Sequence, residues 1–148
     1  MEYGLIGEKL GHSYSRLIHE KLAPYTYDLI PLTREEFPVF MERRAFKAVN
    51  VTIPYKKDVI PYLDELDENA AAIGAVNTIV NKNGRLTGHN TDFSGFAYMM
   101  KEAGISACGK KVLVLGTGGA SAAVLAVLKK QGAAETVSVS RTGKGGAV

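Results

Sequence analysis

A short apolar run at residues 3–7, closed by Gly7, predicts a buried strand. Behind it Tyr14, Leu17, Ile18 and Leu22 recur at helical spacing, with Ser13 or Ser15 placed to cap the helix and Pro24 to end it. Strand-like runs at 26–30 and 46–52 flank an amphipathic stretch over 34–43 that Thr33 opens. Pro54 breaks the third strand. A short helix is expected over 57–63 and a clearer one over 67–73, where Asp67 caps and Gly74 supplies a left-handed stop. Residues 75–80 and 85–87 form a hairpin across Asn83-Gly84. Asp92 then opens a helix on which Phe96, Met99, Met100 and Ala103 share one side, and Gly104 ends it.

From Lys111 the pattern changes. Val112-Leu113-Val114-Leu115 is continuously apolar, as expected of a strand covered on both faces. Gly116-Thr117-Gly118-Gly119 turns the chain into an alanine- and leucine-rich helix over 120–130, Gly132 caps it, and 136–140 is a strand. This is one βαβ unit, and a domain boundary is expected near residues 106–110.

Composition narrows the function classes. The chain has 148 residues, 46% hydrophobic and 22% charged, a globular balance at a length that supports a real core. The single cysteine, Cys108, excludes a disulfide framework and fits a reducing cytoplasm. A net charge of +3 tolerates an anionic ligand, but no basic stripe suggests nucleic acid. No apolar run approaches the ~18 residues of a membrane span. Residues 1–21 lack the basic-then-apolar order of a signal peptide. His12, His19 and His89 have no metal-ligand spacing, so no metal is expected.

The glycine turn carries the first candidate chemistry. Gly116, Thr117, Gly118, Gly119 and Ala120, between strand and helix, let the backbone approach a pyrophosphate, which the helix N-terminus then holds; a tight turn in some other α/β protein has the same look. The third fingerprint position is Ser121. At the end of the next strand an NAD site usually has an acidic residue; here Ser140-Arg141-Thr142 favours NADP, with Arg141 pairing a 2′-phosphate and Thr142 donating a hydrogen bond, although a solvated loop arginine has the same look. Lys56, just past a strand end and Pro54, is a candidate base for removing a hydroxyl proton as hydride leaves carbon, although Lys56-Lys57-Asp58 also reads as a solvated helix start. Asp92 most simply caps a helix; its functional reading places a carboxylate beside Lys56. Ser13 and Ser15 are either caps or, with the helix dipole, a carboxylate site.

Together these segments resemble the shikimate dehydrogenase family. The motifs are Gly7 through His12-Ser13-Tyr14-Ser15, Asn50-Val51-Thr52-Ile53-Pro54-Tyr55-Lys56, Ile73-Gly74-Ala75-Val76-Asn77-Thr78, Gly88-His89-Asn90-Thr91-Asp92 with Gly95, and Gly116 to Ser121 with Arg141-Thr142. They occur in the family's order from residue 4 to residue 142. Departures are Lys9 and Arg16 where the family usually has proline, Ser140 where asparagine is common, and at best Lys144 as the later basic residue.

The resemblance implies that Ser13 and Ser15 bind the shikimate carboxylate with help from Thr52, that Asn77 and Asp92 bond ring hydroxyls, and that Lys56 with Asp92 handles the proton of the oxidised hydroxyl. It implies an α/β fold: a three-layer α/β substrate domain with a mostly parallel sheet over 1–105, followed over 106–148 by the first βαβ unit of a Rossmann domain, truncated relative to six strands. The implied reaction is the reversible, NADPH-dependent reduction of 3-dehydroshikimate to shikimate, on the route to chorismate and the aromatic amino acids. The ligands are then shikimate and NADP, in a cytoplasmic monomer or homodimer. The alternatives are a substrate-binding piece without turnover and a relative acting on quinate with NAD.

Overall fold

The computed structural model describes residues 2–11 and 13–140. The chain divides into two units, Met1–Asn90 and Thr91–Val148.

In the first unit, β1 (Tyr3–Gly7), β2 (Tyr27–Pro31), β3 (Ala48–Val51), β4 (Glu65–Leu66), β5 (Thr78–Lys82) and β6 (Arg85–His89) form one sheet in the order β2-β1-β3-β5-β6-β4. β1 is parallel to β2 and β3, β4 is parallel to β6, and β5 alone runs antiparallel to both its neighbours. The α/β class and the mostly parallel sheet are therefore as the sequence implied.

The period of two along each strand sorts side chains into two faces. One face carries Ile6, Val49, Val51, Ile79 and Leu86 against Phe37 and Met41 of α2 (Glu36–Arg43), Ala70 of α3 (Glu68–Ile73), and Tyr55 and Val59. The other carries Leu5 and Tyr27, packed with Tyr3, Tyr25 and Leu29, and α1 (Ser15–Leu22) lies on this side.

Capping explains most of the helix boundaries. Asp67 Oδ1 accepts from the Ala70 N–H at 2.6 Å, and Gly74 closes α3 at φ 67°. Thr33 and Glu36 form a reciprocal capping box: Thr33 Oγ1 accepts from the Glu36 N–H and Glu36 Oε2 from the Thr33 N–H. Asn83 and Gly84 both have positive φ, as a two-residue hairpin requires.

Several expectations are corrected. The stretch over 57–63 yields only a 3₁₀ turn at Ile60–Tyr62, because Pro61 has no N–H to donate and the neighbours bond i to i+3. No side-chain cap bond forms at the α1 N-cap, Tyr14; instead Ser13 Oγ accepts from the N–H of Ser15, the first helical residue. The apolar stripe of α1 is exposed, at 75%, 55%, 53% and 77% for Tyr14, Leu17, Ile18 and Leu22. Polar residues hold this helix to β2: Arg16 Nε donates to the Tyr27 carbonyl (2.7 Å), Glu20 accepts from the Tyr27 N–H (3.2 Å), and the His19 ring stacks on Tyr27 at 4.0 Å.

The second unit contains α4 (Thr91–Glu102), β7 (Lys111–Leu115), α5 (Ser121–Lys130) and β8 (Glu135–Val139), with β7 and β8 parallel. Its division from the first unit falls after Asn90, whereas the sequence pattern placed it at 105/106. The physical reason is that Phe93, Phe96, Ala97 and Met100 of α4 pack with Val112, Val114, Val124, Val127 and Leu128. Met99, expected on that face, is exposed, and Leu113 and Leu115 are exposed too. Among the described residues, the apolar run of β7 is thus covered on one side only.

Two predictions concern stability. A Cβ at Gly88 would lie 2.5 Å from Leu63 Cδ1 and 2.9 Å from Val76 Cγ2, both in the packed interior. Gly88→Ala should cost ~1–3 kcal/mol in urea unfolding, as overpacked sites do. Asp64 Oδ2 accepts from the Leu86 N–H and from Arg44, and these bonds hold its carboxyl below the usual carboxylate range. A depressed folded pKa contributes stability above the unfolded value that is lost as pH falls through the folded one. The melting-temperature advantage over Asp64→Asn should therefore be present at pH 7 and vanish in strong acid.

Candidate functional site

The reversed direction of β5 places its first residues at the same rim as the carboxyl ends of β1, β3 and β6, where open α/β sheets generally bind ligands. The loops leaving β1 and β3 lie side by side there. The Thr52 N–H donates to the Ile6 carbonyl (2.9 Å) and the Glu8 N–H to the Ile53 carbonyl (3.3 Å). Gly7 is required by this approach, since a Cβ would sit 2.6 Å from Thr52 Cγ2 and 3.2 Å from the Ile53 carbonyl oxygen.

After β1 the Ser13 N–H closes a turn on the Leu10 carbonyl (3.1 Å), leaving Ser13 and Ser15 half-buried at the start of α1. Arg16 beside them is engaged with Tyr27 and lies 3.8 Å from Asp28. After β3, the segment 52–56 is pinned by Tyr55, which is 1% exposed, stacks on Phe37 at 4.3 Å and donates to the Leu32 carbonyl at 2.7 Å. The Ile53–Pro54 peptide within it is cis.

Backbone bonds then join this segment to the start of β5. The Val76 N–H donates to the Lys56 carbonyl (2.7 Å), the Val51 N–H to the Asn77 carbonyl (2.8 Å), and the Asn77 N–H to the His89 carbonyl (3.0 Å). Thr52, Lys56 and Asn77 are thereby brought to one stretch of rim, next to the loop that carries Ser13. Hydroxyls, an ammonium and a buried amide make a donor-rich set suited to a small anionic, hydroxylated molecule.

Asp92 lies in the other unit. It falls in the first turn of α4, one residue inside the helix rather than at the cap, where a carboxylate complements the helix dipole. Asn90, at the end of the first unit, is 3% exposed and its amide donates to the Ala75 carbonyl (2.9 Å), holding the loop before Val76.

Sequence reasoning missed Tyr27, Asn50 and Thr78 as members of the site. They form a hydrogen-bonded chain leading to Asn77. Tyr27 is 50 residues upstream of Asn77, so no motif spacing could join them; the only signal is a polar residue at an alternating strand position, Asn50 in β3.

The glycine turn sits between β7 and α5 as expected. Gly116 has φ 113° and its N–H donates to the Val139 carbonyl (2.8 Å), while Ser121 Oγ donates to the Gly118 carbonyl (2.7 Å) and closes the turn. The helix begins at Ser121, past Gly119 and Ala120. A Cβ at Gly116 or Gly118 would meet nothing within 4 Å, so the turn has open space against its backbone. Ser140 Oγ, following β8, is buried with no hydrogen-bond partner. The open glycine turn fits a dinucleotide pyrophosphate, and the unpartnered Ser140 hydroxyl fits a polar group of the same cofactor. Arg141 and Thr142 lie outside the described residues. Among the described residues no group of three or more His, Cys, Asp or Glu is placed to hold a metal, and no helix is long and apolar enough to cross a membrane.

The family of the shikimate dehydrogenase substrate binding domain matches residues 5–79. A shikimate dehydrogenase (NADP(+)) of Halothermothrix orenii is 47% identical over 150 residues, covering 94% of this chain and 51% of its own. A solved shikimate dehydrogenase 1 of Peptoclostridium difficile superposes with a TM-score of 0.88 at 37% identity, over 95% of this chain and 56% of that one. A Thermus thermophilus shikimate 5-dehydrogenase, solved with NADP(H) and shikimate, gives 0.83 at 36% identity, over 96% and 56%. The chain spans about half the length of the curated relatives it matches. With its rim built on the Asn50–Lys56 and Ile73–Thr78 segments inside the matched region, the chain belongs to the shikimate dehydrogenase family.

Proposed function

We propose that this chain is the substrate-binding portion, with the start of the nucleotide-binding portion, of an NADP-dependent shikimate dehydrogenase. The observation that carries this reading is the rim on which Thr52, Lys56 and Asn77 are tied together by backbone bonds, beside Ser13 and Ser15. Residue types support the assignment of roles. Ser13 and Ser15, at a helix N-terminus, donate to the shikimate carboxylate, and Thr52 adds a hydroxyl. Asn77 and Asp92 bond the ring hydroxyls.

In the oxidative direction the O–H bond of one ring hydroxyl breaks and its proton passes to Lys56, which returns it in reduction; Asp92 orients that hydroxyl and the lysine. NADP, when bound, would accept the hydride that leaves the carbon bearing that hydroxyl. Gly116, Thr117, Gly118, Gly119 and Ala120 hold its pyrophosphate, and Ser140, Arg141 and Thr142 lie at its 2′-phosphate side. A cytoplasmic monomer or homodimer is part of this reading, supported by an exposed unpaired Cys108 suited to a reducing compartment.

Shikimate should raise the melting temperature of this chain, and Ser13→Ala with Ser15→Ala should abolish most of that shift; no shift in the parent chain would sink the assignment. Following reduced nicotinamide after mixing with shikimate and NADP separates turnover from binding alone. In a full-length enzyme Lys56→Ala should lower kcat by about 10²–10⁴-fold, the usual contribution of a general acid–base group. Arg141→Ala should raise the KM for NADP by about tenfold or more and leave NAD nearly unchanged; equal losses for both would refute the phosphate pairing.

A further inference from the structure

Tyr27, Asn50 and Thr78 make one directed chain of hydrogen bonds that ends at Asn77. The Tyr27 hydroxyl donates to Asn50 Oδ1 (2.6 Å), Asn50 Nδ2 donates to Thr78 Oγ1 (3.0 Å), and the Thr78 hydroxyl donates to Asn77 Oδ1 (3.1 Å). The sense of donation is set at both ends. Tyr27 is 2% exposed, and burial, reinforced by Tyr25, pushes its phenol well above the ordinary value, so its hydroxyl keeps its proton. Asn50 Nδ2 also reaches the Asn77 backbone carbonyl at 3.4 Å, and turning the Asn50 amide over would set oxygen against oxygen there. Thr78 therefore accepts from Asn50, and its one proton goes to Asn77 Oδ1.

The backbone of Asn77 is already fixed, its N–H on the His89 carbonyl and its carbonyl on the Val51 N–H. What the strand ladder leaves undetermined is the side-chain amide, whose two ends have similar shape and opposite hydrogen-bonding character. The bond from Thr78 removes that ambiguity.

We propose that Thr78, backed by Asn50 and Tyr27, is a positioning residue that locks the Asn77 amide with its oxygen toward Thr78, so that the end facing the rim is a donor that selects a hydroxyl oxygen of the ligand. Its meaning for substrate choice rests on the shikimate reading above; the lock itself does not. Because Tyr27 and Asn77 are buried, Asn50 and Thr78 half-buried, and every donor points in the same sense, each bond polarises the next, and a break at Tyr27 weakens the lock less than a break at Thr78.

Calorimetric titration of this chain with shikimate tests it. Thr78→Val should weaken binding about tenfold, Thr78→Ser, which keeps the hydroxyl, should stay within about twofold of the parent, and Tyr27→Phe should lie between. In an Asn77→Ala background Thr78→Val should cost nothing further, because Thr78 acts through Asn77. An equal loss in both backgrounds, or no loss in either, overturns the proposal. If the parent chain does not bind shikimate, the substrate assignment fails and the lock is still read by NMR. The side-chain amide resonances of Asn50 and Asn77 should both move in Tyr27→Phe and Thr78→Val. Unmoved Asn77 resonances would refute it.

Discussion

One antiparallel strand organises the first unit. Because β5 pairs antiparallel with β3, the chain entering β5 arrives at the rim where β1 and β3 leave, and Asn77 comes to lie beside Val51. Had β5 followed the direction of its neighbours, residues 73–77 would end at the opposite edge, and Asn77 would be separated from Lys56 by the length of a strand, about 17 Å at the usual rise. Ladder hydrogen bonds thus gather the rim. The Val76 to Lys56 bond extends the same logic one step past the end of β3.

The two faces of this sheet do different work. The face under α2 and α3 is apolar throughout, from Ile6 to Leu86, and supplies most of the folding energy at ~1.5–3 kcal/mol for each fully buried aliphatic side chain. The face under α1 mixes Leu5 with Tyr27, Asn50 and Thr78. Polar groups there are affordable only because each donor meets an acceptor, and their shared direction carries orientation to Asn77. The same Tyr27 anchors α1 through its backbone, with Arg16 on its carbonyl and Glu20 on its N–H. One residue of β2 therefore sets both the helix that presents Ser15 and the amide of Asn77.

In the second unit a single packed face joins α4, α5 and the β7–β8 pair, while Leu113 and Leu115 on the reverse of β7 stay exposed. Packing of Phe96 and Met100 on Val112 and Val127 draws α4 into this unit, which is why Asp92 belongs to the second unit although its motif is continuous with Asn90 in the first.

The sequence by itself determined what is local. Period-two and period-3.6 patterns, the Asp67 and Thr33 caps, the Asn83-Gly84 turn and the glycine turn after β7 are decided within a few residues, and the motifs from Gly7 to Ser121 identified the family. Only tertiary structure decided the direction of β5, the side of the boundary on which α4 falls, the exposure of the α1 stripe and the partnership of Tyr27 with Asn50. Each depends on which distant surface is available for packing or pairing. An apolar stripe predicts a buried helix face only if something covers it, and a strand tyrosine becomes a hydrogen-bond anchor only when a strand brings it an amide from 23 residues later.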